Sequence, residues 1–310
     1  MHGTYLLAHA TTRSLPNVKH ALVYNLATTA ISPPELTTVG FQFAASPSQM
    51  VPFTGTANQL YVYMFGSLCR PSCTSGAPTA GTWLLELTSG GVQVRNATGL
   101  DLGGNDLASL DGVLVNGTAF YRVRGTGVSK EIGIYDITNP LAPQFRSATA
   151  LTGVSVSTSP RIAYGAGVLM VAGGAGASGG DGVAFLSVGT DPTQLTLRGK
   201  VLGIGDAIAV AVLSATRAFV SSSRVGVLRL DLSDLDHPKI QGGQEAPNNA
   251  ITSLSLQRAG QRRCCDGRVS CLNTSPCTSD ATCTAPATCQ DVNLLLAGES
   301  TNISVFELLP

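Results

Sequence analysis

Short apolar strands recur along this chain, and their recurrence limits the available folds more than any single motif. Six stretches open on such a strand: ALVYNLATTAISPPELTTVG from Ala21, TWLLELTSGGVQVRNATG from Thr82, IGIYDITNPLAPQFRSATAL from Ile132, GVAFLSVGTDPTQLTLRGKVL from Gly182, GVLRLDLSDLDHPKIQGG from Gly226 and ISVFELLP from Ile303. A small polar or acidic residue stands near the end of each: Asn25, Glu86, Asp136, Ser187, Asp231 and Glu307. In all but the last, a turn of Gly, Pro, Ser, Thr or Asp leads into a second β-like run. Another strand precedes each stretch (TYLLAHA, QLYVYMFG, TAFYRVRG, GVLMVAGG, TRAFVSSS and VNLLLAGE), and a third precedes most of those, such as GVLV, VSVST, AIAVAVL and ITSLSL. The period is about fifty residues once a Cys-rich stretch is set aside, and about four strands per period point to radial repetition of β-sheets.

Burial explains why a β-propeller fits. A lone four-stranded sheet cannot cover both its faces, whereas sheets packed around an axis cover both faces of each. Strands apolar on both sides, such as AIAVAVL and VLMVA, then find partners in two directions. A parallel α/β fold would need helical patterns between strands, and none is present. A pair of β-sandwiches accommodates the turn spacing but leaves the six-fold recurrence unexplained. The expectation is an all-β chain, a single propeller domain over residues 1–310 with about six four-stranded blades and a Cys-rich insertion over 260–291 in the last blade.

IGIYDITNPLAPQF and VGVLRLDLSDLDHPKI resemble the units of the LVIVD-repeat propellers: an apolar strand, Asp, Val or Ile, Ser or Thr, and spaced prolines. ALVYNLATTAISPPEL matches in part. The resemblance implies a secreted or surface-located bacterial propeller and brings no catalytic residues with it. Asp136 and Asp231 match the motif Asp, a turn residue whose carboxylate can accept N–H groups from the turn that follows. Pro140, Pro143 and Pro238 fix the exit of the chain from that turn.

Labelled a to d outward from the axis, the strands read bcd, four abcd sets, then abc, which is two short of six complete blades. The chain is therefore expected to be cut from a longer protein or to carry an irregular seam. HGTYLLAHATTR after Met1 lacks the basic start and apolar stretch of a signal peptide. Charged residues make up only 12% of the chain and net charge is zero, so Ser, Thr, Gly, Asn and Gln must cover much of the surface. With no basic stripe beyond QRR at Gln261–Arg263, nucleic acid is not expected as a partner. No apolar run reaches the length of a transmembrane helix.

From Cys265 a cysteine falls at every sixth residue, at 265, 271, 277, 283 and 289, with Cys264 adjacent to the first. Structural zinc sites use closer pairs and often histidine, which this stretch lacks, and there is no redox C-x-x-C. Disulfides are the reading for Cys69, Cys73, Cys264, Cys265, Cys271, Cys277, Cys283 and Cys289, with zinc or unpaired thiols as the alternatives. A segment so rich in Thr, Ser, Ala and Pro has almost no core, and each bridge adds roughly 2–4 kcal/mol by limiting the unfolded chain. Cys69 is expected to bond Cys73, because hairpins alternate ends and the two insertions should emerge on opposite faces. Connectivity among the other six stays open.

Other motifs read blandly. GAGASG at Gly174–Gly179 runs into a strand, not the helix a dinucleotide site needs. DLSDLDH at Asp231–His237 and DLGGNDLASLDG at Asp101–Gly112 lack the ligand spacing of an EF-hand loop. His2, His9, His20 and His237 are scattered, and neither G-x-S-x-G nor H-E-x-x-H occurs. No catalytic residue, cofactor or metal is assigned. The functional expectation is a non-enzymatic binding or scaffold protein of the cell envelope or exterior, with a protein or glycan partner. Ligand contact is expected at the b–c loops Ser67–Ala80, Gly125–Lys130 and Gly173–Gly182 or at the channel mouth. A propeller enzyme cleaving a glycan at that mouth is the competing class.

Overall fold

The computed structural model describes residues 5–11, 19–25, 42–43, 49–69, 79–88, 91–95, 113–125, 130–156, 160–173, 181–222, 225–244, 251, 253–266, 271, 274–298 and 303–308. These residues are all-β, with several antiparallel sheets and one short 3-10 turn at Asp280–Thr282. The chain divides into two compact units, Met1–Thr152 with Val188–Thr196, and Gly153–Ser187 with Leu197–Pro310.

In the first unit, β1 (Tyr5–Thr11), β2 (Lys19–Asn25) and β3 (Gln42–Phe43) join the hairpins of β4 (Gln49–Thr54), β5 (Leu60–Cys69), β6 (Thr79–Thr88) and β7 (Gly91–Val94). A second sheet follows chain order in β8 (Val113–Asn116), β9 (Ala119–Arg124), β10 (Glu131–Asp136) and β11 (Gln144–Ala150). Their facing sides share one core of Val51, Phe53, Tyr63, Phe65, Leu84, Phe120, Tyr135 and Ile137. A row of rings crosses it: Phe53 lies 4.8 Å from Tyr63, Tyr63 5.5 Å from Phe120, and Phe120 5.7 Å from Tyr135. Aromatic contacts at these spacings add to the burial of the ring areas.

Two buried phenols recur at equivalent places. Tyr63 on β5 donates to the carbonyl of Pro140 at 2.7 Å, and Tyr121 on β9 donates to that of Pro192 at 2.6 Å. In both cases the b strand of one repeat is tied to the c–d turn of the next. Burial raises the Tyr63 hydroxyl's pKa above its ordinary value, so it stays a neutral donor.

In the second unit, β12 (Arg161–Gly165), β13 (Val168–Ala172), β14 (Asp181–Val188), β15 (Leu195–Ser214), β16 (Arg217–Ser222), β17 (Gly226–Asp231) and β18 (Lys239–Gln244) form one sheet in chain order. β19 (Ser253–Cys265), β20 (Thr288–Gly298) and β21 (Ile303–Leu308) form another. The 20-residue β15 serves two repeats: its C-terminal half pairs with β16, and Val201–Leu202 lie against Gly182 of β14. Between the halves, the Asp181 carboxylate accepts the N–H groups of Gly203 and Gly205 at 3.0 and 3.1 Å and holds the corner.

Alternation along AIAVAVL divides the core in two. Val210 and Val212 enter one cluster with Met170, Phe185, Val220 and Leu230, while Ala211 enters another with Phe219, Val227 and Leu295. Successive strand residues face opposite sides, so one sheet is apolar on both. Close approach supplements packing at Gly199, where a Cβ would meet the Leu235 carbonyl and lie 2.6 Å from Pro238 Cδ. Bare backbone is required there.

One expected strand is displaced. VSVST is not the first strand of the fourth repeat; RIAYG at Arg161–Gly165 takes that place. Ala166 and Gly167, at φ of +49° and +80°, form a tight two-residue turn that pairs Gly165 with Val168 and sets the register. Val154 and Val156 of VSVST are buried without pairing as a strand.

Replacing Tyr63 or Tyr121 with Phe leaves the ring in place but strands a carbonyl. Each change is expected to lower unfolding free energy by about 1 kcal/mol, measured by urea denaturation. An unchanged midpoint in both variants would show that these hydroxyls do not join the repeats.

Candidate functional site

Among the described residues, polar groups come together in the c–d turns, in a cleft beside β17 and β21, and at the Cys-rich end of the β19–β20 ribbon.

The c–d turns share a local device. Asp136 Oδ1 accepts the Thr138 N–H and hydroxyl at 2.8 and 2.7 Å, and Asp231 Oδ1 accepts the Ser233 N–H at 2.9 Å. Three residues further on, Asn139 accepts from Leu141 N and Asp234 from Asp236 N. A residue ten positions beyond the Asp closes each turn from the d strand: Arg146 on Asp136, and Gln241 on Asp231 at 2.8 Å. Pro143 and Pro238 immediately precede β11 and β18. In the fourth repeat the turn carboxylate is Asp191, not Ser187, accepting from Thr193 N at 2.8 Å. β14 runs on through Val188, which shifts the turn.

These contacts set the acidity. Hydrogen bonding from Arg146, then from Thr138, lowers Asp136 from 3.8 to about 2. Asp191 and Asp231 are lowered chiefly by their own turn N–H groups, and Asp234 chiefly by His237, whose Nδ1 lies 2.9 Å away. Arg198 makes a two-pronged contact with Asp236 at 2.7 and 2.6 Å. Carboxylates so occupied act as turn fasteners, with few lone pairs left for a ligand.

Sequence patterning did not reveal the cleft. It has a volume of about 530 Å³, with an apolar wall of Phe219, Val227, Leu295 and Phe306 facing Arg229 and Gln241. Arg229 Nε donates to Gln241 Oε1 at 2.8 Å, so its charge is held in a fixed direction. Its residues come from five separate strands, each carrying an ordinary strand pattern, and only folding assembles them.

The Cys-rich segment extends the β19–β20 ladder. Register shifts between Arg258 and Arg262, after which Arg263 faces Gln290, Cys264 faces Cys289 and Cys265 faces Thr288. Ser275–Cys277 returns alongside: Cys264 N donates to Ser275 O, Cys277 N to Arg262 O, and Arg263 bridges Pro276. Disulfides join Cys264 to Cys283, Cys265 to Cys271 and Cys277 to Cys289, with Cα separations of 5.4, 5.3 and 5.8 Å. Cys265, Cys271 and Val292, with Leu294 against them, make a small core. The sulfurs of Cys264, Cys277 and Cys283 lie within 4.8 Å of one another and could hold a metal ion if freed.

The remaining candidates are dispersed. Cys73, Asp101–Gly112, GAGASG and most of the three b–c loops lie outside the described residues, so the Cys69–Cys73 pairing does too. β14, a strand, follows GAGASG. His9 and His20 sit on β1 and β2, whereas His237 lies in the turn before β18. No helix among the described residues is long and apolar enough to cross a membrane.

The Asp136 carboxyl carbon should titrate by NMR with a midpoint near 2. Because its folded value is depressed, its stabilising contribution is complete above about pH 5 and fades as pH falls through about 2. Replacing Arg146 with Ala should move the midpoint upward toward the ordinary value, and an unmoved midpoint would remove Arg146 as the main cause.

Comparison with known proteins identifies no family: no family model matches the chain, and neither does any curated protein. Among solved structures, a Lactobacillus plantarum protein is 12% identical, covers 99% of this chain and 82% of its own, and has a TM-score of 0.49. A candidate 6-phosphogluconolactonase from Bacteroides fragilis has the same identity, coverage and TM-score. A functionally unknown protein from Desulfotomaculum acetoxidans is 11% identical, covers 76% of this chain and 84% of its own, and has a TM-score of 0.39. None of these three reaches a TM-score of 0.5, and none carries an argument about this chain.

Proposed function

We propose that the chain is an extracellular or cell-envelope binding or scaffold protein whose repeats are the blades of a single propeller of the LVIVD type. The observation that carries this reading is the Cys-rich ribbon, where three disulfides hold a segment with almost no apolar core at the tip of a β-hairpin. Crosslinks of this kind persist in oxidising surroundings and are reduced in cytosol. The low charge content and the small polar surface residues fit the same setting. Recurrent ties between one b strand and the next c–d turn support a radial stack of blades.

In this reading the packed sheets are the frame, and the ribbon is a rigid surface offered to a protein or glycan of the envelope. Ordering costs are met before the partner arrives, because disulfides have already restricted the segment. Lowered carboxylates in the c–d turns favour a scaffold over a catalyst, since their oxygens are engaged by their own turns.

The test is to export the chain to an oxidising compartment and map its disulfides by peptide mass. Binding to isolated envelopes is then compared with a variant in which an Asn-Gly turn replaces residues 266–287 and serine replaces Cys264, Cys265 and Cys289. The expected result is three bridges in the 264–289 segment of the parent and at least about tenfold weaker envelope binding by the variant, with its β-sheet spectrum retained. Alkylatable thiols throughout that segment in the exported protein, or equal binding by both proteins, would overturn the proposal.

A further inference from the structure

Two of the three bridges converge on one point. Cys264 and Cys289 are cross-strand partners, yet they are not bonded to each other; each is bridged to a residue of the returning segment, Cys283 and Cys277. The sulfurs of Cys264, Cys277 and Cys283 already lie within 4.8 Å of one another, and the Cys289 sulfur is covalently attached to one of them. Four thiolates around zinc at about 2.3 Å stand roughly 3.8 Å apart at tetrahedral angles. Separation of the sulfurs on reduction therefore needs side-chain rotation, without rearrangement of the backbone.

The backbone is held independently of the disulfides. Cys264 N donates to Ser275 O at 3.1 Å, Cys277 N to Arg262 O at 3.0 Å, Cys283 N to Asp280 O at 2.9 Å, and Cys289 N to Asp280 Oδ1 at 2.7 Å. All four cysteines are thus positioned by their own N–H groups. Arg262 reaches the Cys289 carbonyl at 2.6 Å and Arg263 the Thr274 carbonyl at 2.5 Å, which brings two positive charges to the border of the cluster. A zinc ion with four thiolates carries a net charge of about −2, which these guanidinium groups face alongside the Asp280 carboxylate and, 4.0 Å from Arg262, that of Asp291. The third bridge, Cys265–Cys271, packs with Val292 in a separate small core.

We infer that reduction converts this paired-disulfide cluster into a tetrathiolate site for zinc or another soft divalent metal, formed by Cys264, Cys277, Cys283 and Cys289. In balance, a dithiol gives each disulfide two electrons and two protons and becomes a disulfide itself, whereas a phosphine gives two electrons, takes the oxygen of a water molecule as phosphine oxide and leaves that water's two protons on the two thiols. The metal then displaces the four thiol protons to solvent as it binds. Oxidation by two equivalents of a small-molecule disulfide, each taking two electrons from a thiolate pair and two protons from solvent to become two thiols, releases the metal and restores the two bridges. The ribbon has two crosslinked states, one closed by sulfur–sulfur bonds and one closed by a metal. This inference is independent of what the protein binds at its surface.

The experiment uses the full chain, reduced with a phosphine under argon and freed of reductant, then titrated with Co(II) and Zn(II). One equivalent of cobalt should bind with thiolate charge-transfer and tetrahedral d–d bands, and zinc should displace it. Zinc should also slow alkylation of Cys264, Cys277, Cys283 and Cys289 by about tenfold or more, with Cys69 and Cys73 unprotected. Replacing Cys277 and Cys289 with serine should abolish the bands, and replacing Cys265 and Cys271 should preserve them. Peptide mapping of protected thiols needs only the parent chain, so a variant that fails to fold does not obscure the result. Absence of the cobalt bands, or protection of a different set of cysteines, would overturn the inference.

Discussion

A phenol with no access to water must find an acceptor in the protein, and at Tyr63 and Tyr121 that acceptor is a proline carbonyl in the turn of the following repeat. Much else in the first unit accommodates this requirement. The carbonyl must be presented at the right height, so the turn before it is tightened by Asp136 or Asp191 on its own N–H groups. The ring must be level with the opposing sheet, so Phe53 and Phe120 flank Tyr63 at stacking distance. A hydrogen bond of modest net strength thereby coordinates turn geometry with core packing.

Legibility in the sequence follows the range of the interaction. Strand positions were readable because apolar alternation is written in adjacent residues: AIAVAVL divides Val210 and Val212 from Ala211 across a sheet as its pattern requires. Asp136 and Asp231 were readable as turn residues for the same reason, since their partners stand two positions away. VSVST misled because Val154 and Val156 are buried like strand residues, whereas register was decided at the short turn of Ala166 and Gly167. Asp181 left no sign, because its amides at Gly203 and Gly205 lie more than twenty residues away. The cleft beside Arg229 was hidden for the same reason.

Cysteine spacing showed that the 264–289 segment needed crosslinks but could not choose among pairings. The choice depends on the register of β19 against β20 and on the return of Ser275–Cys277 beside Arg262. Neither appears in the spacing of cysteines. Equal steps of six residues in sequence become bridges of three different spans because the segment folds back on a ribbon that is already formed.

β15 has a consequence for how the second unit comes apart. Most repeat arrays can lose one element at a time, since neighbours meet only across an interface. Here one continuous strand serves two repeats of one sheet, and its corner is clasped by a carboxylate from β14. Peeling its first half from β14 frees Gly203 and Gly205, loosens the anchor of the second half, and exposes the valines that cover β16. Fraying of one repeat is thereby transmitted along the backbone to the next, so amide protons of both should exchange as one foldon.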